Sequence, residues 1–202
     1  MTHSTGAEML IQLARAQGII SASDAVAYNI NRGWLPRLAA AGRLERVARG
    51  RYRLAAAEVS EHHTLALAAG IAPNAVICLL SALQYHEIGV QSPAEVWIAL
   101  KRGAWRPRPA YPLLRVVHHS EPSFSAGVEY HVIEGVRVPI YSIAKTVADC
   151  FKFRHQVGLD VALEALTEAW RQHRLVLAEL NQFAGINRVR RVMQPYIEAL
   201  IQ

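Results

Sequence analysis

Five arginines fall within eleven residues, at Arg43, Arg46, Arg49, Arg51 and Arg53, and the one acid among them is Glu45. A guanidinium presents paired N–H donors that match a phosphate, and each such contact on a nucleic acid releases condensed counterions. Just upstream, Asn31, Arg32, Trp34 and Arg37 supply further donors and an aromatic ring to the same stretch. Residues 1–57 carry eight Arg against three acids, whereas residues 58–202 carry 14 Lys plus Arg against 13 acids. The formal net charge of +6 therefore belongs to the first quarter of the chain, where a polyanion is expected to bind.

Other residues could do different chemistry. Lys145, Asp149, Asp160 and Glu164 are the types that a metal-dependent nuclease needs, carboxylates to hold an ion and a lysine beside the attacking water. Their spacing favours a simpler reading: Lys145 and Asp149 are four apart on one helix and suit an ion pair, with Asp160 as a helix cap and Glu164 on the surface. The adjacent pairs His62–His63 and His118–His119 diverge along a helix or strand, and there is no HExxH. No catalytic residue, metal site or cofactor is expected. Cys78 and Cys150 lie in apolar stretches without CxxC spacing and read as buried free thiols, which suits a reducing cytoplasm. The basic loop Lys101–Pro109 is either a solvated connection or an added contact to DNA or a partner.

The elements that must position these residues follow from periodicity. Leu10, Leu13 and Ala14 share a helical face after Thr5, and Gly18 ends that helix. Ser21 and Asp24 form a capping-box pattern for a helix over about 22–28. Asn31 is read as the cap of a third helix with Leu35 and Leu38 inward and Arg32, Trp34 and Arg37 outward. Pro36 predicts a late start or a kink there. Leu44–Val47 and Tyr52–Leu54 alternate about a turn at Arg49 and Gly50, a β-hairpin. Three short helices and a hairpin are the layout of a winged helix-turn-helix, with the five arginines on the wing.

Composition shifts at Ala55–Glu58, dividing the chain into a DNA-binding domain over 1–57 and a second domain over 58–202. In the latter, helices are expected over about 60–69 and from 78 to 86, after a brief strand at Val76 and Ile77. Strands follow over 95–100, 113–119, 128–133 and 136–141, read as a small antiparallel sheet with Pro139 on an edge arm. Ser142 caps a helix with Lys145, Thr146 and Asp149 on its polar side. Helices over 160–173, with Leu159, Leu163, Leu166 and Trp170 as its apolar stripe, and over 177–184 and 189–201 complete an α+β fold. Hydrophobic residues make up 52% and charged residues 19%, which is the balance of a folded protein. There is no leader-like segment and no apolar run near the ~20 residues that span a bilayer.

The segments SASDAVAYNINRGWLPRLAAAGRLERVARGRYRL, SEHHTLA, CLLSALQYH, EVWIAL and YSIAKTVADCFKFRHQVGLDVALEAL together resemble the AbiEi antitoxins of type IV toxin–antitoxin systems, over roughly residues 8–200. The resemblance implies an N-terminal winged helix-turn-helix that represses its own operon at inverted repeats in double-stranded DNA. It further implies a C-terminal domain that counters a nucleotidyltransferase-type toxin without a stable complex. Carried over, Asn31, Arg32, Trp34 and Arg37 belong to the recognition helix, Arg46, Arg49, Arg51 and Arg53 to the wing, and Ser142, Lys145, Thr146 and Asp149 to the C-terminal motif; Arg43 joins the first two groups as a DNA-binding candidate. A DNA-binding nuclease and a ligand-responsive regulator are the alternatives.

Overall fold

The structure, a computed structural model, describes residues 6–201, so Thr5, expected just before the first helix, lies outside it. The chain begins with α1 (Gly6–Gln17), β1 (Ile19–Ser21), α2 (Ala22–Ala27), α3 (Trp34–Ala40), β2 (Leu44–Ala48) and β3 (Arg51–Leu54). Three helices and a small antiparallel sheet of order β1-β3-β2 make a winged helix-turn-helix. Leu10, Ile11, Ala14, Ile20, Leu35, Leu38, Leu44 and Tyr52 form its core. Ser21 caps α2 through both halves of a capping box, its side chain accepting from Asp24 N–H while the Asp24 carboxylate accepts from Ser21 N–H. The short strand β1 adds a third member to the expected hairpin and makes β3 central.

Asn31 does not cap α3. The helix begins at Trp34 behind Gly33, and the Asn31 carboxamide oxygen instead accepts from Gly33 N–H at 2.8 Å. Pro36 consequently falls in the first helical turn, where its missing N–H leaves nothing unsatisfied. This is the late start that the proline predicts.

There follow α4 (His63–Ile71), β4 (Val76–Ile77), α5 (Leu79–Tyr85), β5 (Val96–Lys101), β6 (Leu114–His119), β7 (Val128–Ile133) and β8 (Val136–Tyr141), then α6 (Ile143–Lys152), α7 (Arg154–Val157), α8 (Leu159–Arg171), α9 (Leu177–Ile186) and α10 (Arg190–Ile201). The larger sheet has five strands in the order β6-β5-β4-β8-β7. It is mixed and not wholly antiparallel: β5 pairs with β6 and β4 with β8 in parallel, while β4 and β5 are antiparallel. Nor is β8 an edge. It stands between β4 and β7, and Pro139 is accommodated because the β4–β8 ladder is the single pair Ile77↔Ile140.

The chain groups into two compact units. Unit one comprises the described residues to Pro73 with Pro107–Leu113 and His131–Val138; unit two comprises Asn74–Arg106, Leu114–Tyr130 and the chain from Pro139. Within unit two, α6 packs against α5, α8 and α9, and Val147, Phe151, Ala162, Leu166, Leu180 and Ala184 are among the core residues. The buried face of α8 is Val161, Ala162, Ala165, Leu166 and Ala169, whereas Leu159 is exposed. The expected leucine stripe is thus rotated, because alanines let α6 approach closely. Asp160 is not a cap either; Gly158 holds that position without a side-chain bond. Among the described residues no helix is long and apolar enough to cross a membrane.

Candidate nucleic-acid interface and buried polar network

The wing arginines divide by strand alternation. On β3, Tyr52 points to the core and Arg51 and Arg53 point to the opposite face. Arg53 stands directly across from Glu45 and donates from Nε to its carboxylate at 2.8 Å. Its side chain is only 12% exposed, so it is held differently from the other four. Arg43, Arg46 and Arg49 are exposed and Arg51 is half-buried. Among the described residues, none of those four is in an ion pair. A bulge between Arg46 and Ala48 shifts the β2–β3 register just before the turn at Arg49, which raises the local twist of the wing.

On α3, Leu35 and Leu38 are buried while Arg32, just before the helix, and Arg37 are exposed. Trp34 is half-buried and packs against the module's core, with the Arg37 guanidinium 5.5 Å from its ring centroid. The tryptophan thus supports the helix and braces Arg37 by a cation–π contact. The structure brings Arg32, Arg37, Arg43, Arg46, Arg49 and Arg51 onto one small module as cations without partner carboxylates among the described residues. That is the electrostatic condition for phosphate binding.

A cavity of about 710 Å³ lies in unit one. Arg15, Arg43 and Arg53 contribute to its lining, as do Ser60, His63 and Glu134. Glu134 is anchored by Ser60, whose N–H and hydroxyl donate at 2.7 and 2.9 Å, and by His63 Nδ1 at 2.7 Å. Burial alone would raise its pKa; these bonds outweigh it and hold the carboxyl below its ordinary range.

The second group of predicted residues is placed otherwise than expected. Ser142 does cap α6, its hydroxyl accepting from Lys145 N–H. Lys145, Thr146 and Asp149, however, have no exposed surface. Lys145 Nζ bonds the Asp149 carboxylate and lies 4.2 Å from the Tyr141 ring centroid. Asn187 Nδ2 donates to Asp149 Oδ1 at 2.7 Å. The Asn187 carboxamide oxygen accepts from Ser123 Oγ at 2.7 Å and from Lys152 Nζ at 3.3 Å. With its proton so used, Ser123 Oγ accepts from His119 Nδ1 at 2.8 Å and from Lys152 Nζ at 3.0 Å. In that arrangement His119 carries its proton on Nδ1, and Nε2 is buried without a hydrogen-bond partner among the described residues, 4.0 Å from Asp149. Burial, more than the neighbouring charges, pushes the His119 pKa down to about 4.

Sequence reading missed His119, Ser123 and Asn187 as partners of this pair. The carboxylates considered for a nuclease do not converge: Glu164 accepts from Val90 N–H and Gln91, and Asp160 sits exposed at the start of α8. Among the described residues no three His, Cys, Asp or Glu side chains are grouped so as to hold a metal ion. Cys78 and Cys150 are free and buried, and burial raises the pKa of both thiols.

Residues 8–55 match the model of a family described as transcriptional regulators of the AbiEi antitoxin type. The match runs from within α1 to just past β3 and spans the arginine-bearing segment. No curated protein matches the chain.

Proposed function

We propose that this protein, whose residues 8–55 match AbiEi antitoxin transcriptional regulators, represses its own operon and counters a nucleotidyltransferase-type toxin as a type IV antitoxin without catalysis of its own. Residues 1–57 would bind operator repeats in duplex DNA. Arg32 and Arg37 at α3 are the base-reading candidates, and Arg43, Arg46, Arg49 and Arg51 track phosphates. Residues 58–202 would supply protection against the toxin. The observation that carries the reading is the set of six arginines without partner carboxylates among the described residues, on a winged helix-turn-helix that matches a regulator family. The motif Ser142, Lys145, Thr146 and Asp149 supports that function from within, as the buried frame of α6, and not as a docking face.

The test is co-expression with the protein encoded by the adjacent reading frame, alongside a reporter driven by the operon's own promoter. Full-length protein is expected to repress the reporter and restore growth. The variant Arg46→Ala/Arg49→Ala/Arg51→Ala is expected to lose repression and keep protection. A folded wild-type protein that does neither overturns the proposal.

A second reading, a ligand-responsive regulator, is favoured by the cavity in unit one, which is lined in part by Arg43 and Arg53 of the module. A small molecule that raises the melting temperature and changes operator affinity, both effects lost in Ala57→Trp, would favour it.

A further inference from the structure

The small sheet has a second face, and one charged side chain stands on it under cover. Ile19 and Arg53 are directly opposed in the β1–β3 register, so their side chains leave the same face, the one away from Tyr52 and the module's core. Helix α4 packs on that face: a Cβ added at Gly70 would stand 2.6 Å from Ile19 Cδ1. The Arg53 side chain is accordingly only 12% exposed. Its Nε donates to Glu45, whereas its Nη1 is buried with no hydrogen-bond partner among the described residues. A guanidinium donor left unmet in the interior is costly, and an acceptor brought there removes the cost.

The cavity of about 710 Å³ lies against this face. Ile19 and Arg53 both line it, with Leu67 of α4, Ile11 of α1 and Val136 of β8, and all of its lining residues belong to unit one. Its volume is that of a small-molecule site, and those aliphatic side chains give it the usual apolar wall. The turn carrying Glu134 is fixed at its edge, because Gly18, at φ +70°, leaves no room for a Cβ against the Glu134 carbonyl.

The polar groups on the walls select the charge of an occupant. Glu134 already takes two donors from Ser60 and a third from His63, so it does not call for a cation. Three arginines, Arg15, Arg43 and Arg53, and two glutamates, Glu58 and Glu134, line the space. That surplus of one positive charge is balanced by a single negative charge, and a polyphosphate overshoots it.

We propose that this cavity binds a small monocarboxylate with an apolar body, its carboxylate accepting from the Arg53 guanidinium and its body lying against Ile11, Ile19, Leu67 and Val136. The same guanidinium ties β3 to β2 through Glu45, so an occupant acts directly on the strands of the wing. That effect on DNA binding rests on the ligand-responsive reading; the site itself does not.

The test titrates the full-length protein by calorimetry with naphthoate and octanoate, and with naphthylmethanol and naphthylmethylamine as the neutral and cationic counterparts. Both acids are expected to bind saturably, with naphthoate about tenfold or more tighter than the alcohol or the amine. Arg53→Gln should weaken naphthoate about tenfold or more and change the alcohol little. Ala57→Trp fills the cavity from a lining position while leaving Arg53 in place, and should abolish binding of acid and alcohol alike. Melting temperatures show that each variant is folded. The absence of saturable binding by either acid would overturn the site, as would naphthoate affinity unchanged in folded Ala57→Trp. Equal affinity for naphthoate and the alcohol, or displacement of naphthoate by inorganic pyrophosphate, would overturn the monocarboxylate assignment. Operator affinity with and without naphthoate is a separate arm: binding that leaves it unchanged upholds the site and removes the ligand-responsive reading.

Discussion

Lys145 Nζ lies 2.5 Å from the carboxylate of Asp149, one turn further along α6, and neither side chain has any exposed surface. Desolvating two charges costs several kcal/mol each, and the cost is met only where the pair is close and its remaining hydrogen-bonding capacity is filled. Asn187 on one side and the Tyr141 ring on the other supply that completion.

Removing one partner should therefore do more harm than removing both. Lys145→Met and Asp149→Asn are each expected to lower stability by about 3–5 kcal/mol, because each leaves a buried charge uncompensated. Lys145→Met/Asp149→Asn should cost less than the sum of the two. Urea unfolding of the full-length variants measures this double-mutant cycle. Additive losses would mean that the pair is not energetically coupled.

His119 predicts how stability depends on pH. Its folded-state pKa is about 4, below the ordinary 6.5, so the fold prefers the neutral ring. The stabilisation is fully present above pH 6.5 and is lost as pH falls from 6.5 towards 4, where the unfolded chain binds a proton that the native state refuses. The full effect is on the order of 3 kcal/mol. In His119→Gln that part of the slope should vanish, and urea midpoints at pH 7.5 and 4.5 should lie closer together than in the wild type. An unchanged slope would place the titration elsewhere.

Gly127 is a steric partner of the same helix. Its φ is +70°, and an added Cβ would stand 2.7 Å from Lys145 Cβ and 3.0 Å from the Phe183 ring. Gly127→Ala combines left-handed strain with overpacking and should cost roughly 2–4 kcal/mol. Gly103, at φ +87° with nothing within 4 Å of an added Cβ, isolates the first contribution, so Gly103→Ala should cost about 1–2 kcal/mol. Equal thermal shifts in the two variants would remove the packing argument.

The winged module was legible because its signals are local. The capping box at Ser21, the turn at Arg49 and the proline that delays α3 each act over a few residues, and charge concentrates where those elements meet. β1 escaped notice because three residues carry no period. The directions of the larger sheet escaped because alternation marks a strand without giving its partner. Lys145 and Asp149 were assigned to an outer face since charged side chains are rarely fully buried. What makes burial tolerable is Asn187, 38 residues beyond Asp149, together with Ser123, 64 residues before Asn187. No periodicity within α6 can report such partners. Arg53 was grouped with the other arginines by spacing, and only the cross-strand register with Glu45 sets it apart.

That distinction shapes the expected salt dependence of DNA binding. Arg32, Arg37, Arg43, Arg46, Arg49 and Arg51 have no ion pair among the described residues. If about 4–6 of them meet phosphates, the slope of log K against log salt should be roughly −4 to −5. Arg49→Ala and Arg51→Ala should each reduce that slope by about 1 and weaken operator and scrambled duplex alike, since a wing on the backbone positions the module without reading sequence. Arg32→Ala and Arg37→Ala should instead cost ~1–3 kcal/mol against the operator while changing scrambled DNA less, as expected of contacts to base edges. Arg53→Ala should leave the slope unchanged, because its Nε is committed to Glu45 and its side chain is only 12% exposed. It should lower the melting temperature instead, by stripping Glu45 of its partner. Fluorescence anisotropy at four salt concentrations with both duplexes gives all of these values. A slope near zero would remove the proposed interface altogether, and a loss on Arg53→Ala as large as on Arg49→Ala would mean that the wing opens its Glu45 pair to engage DNA.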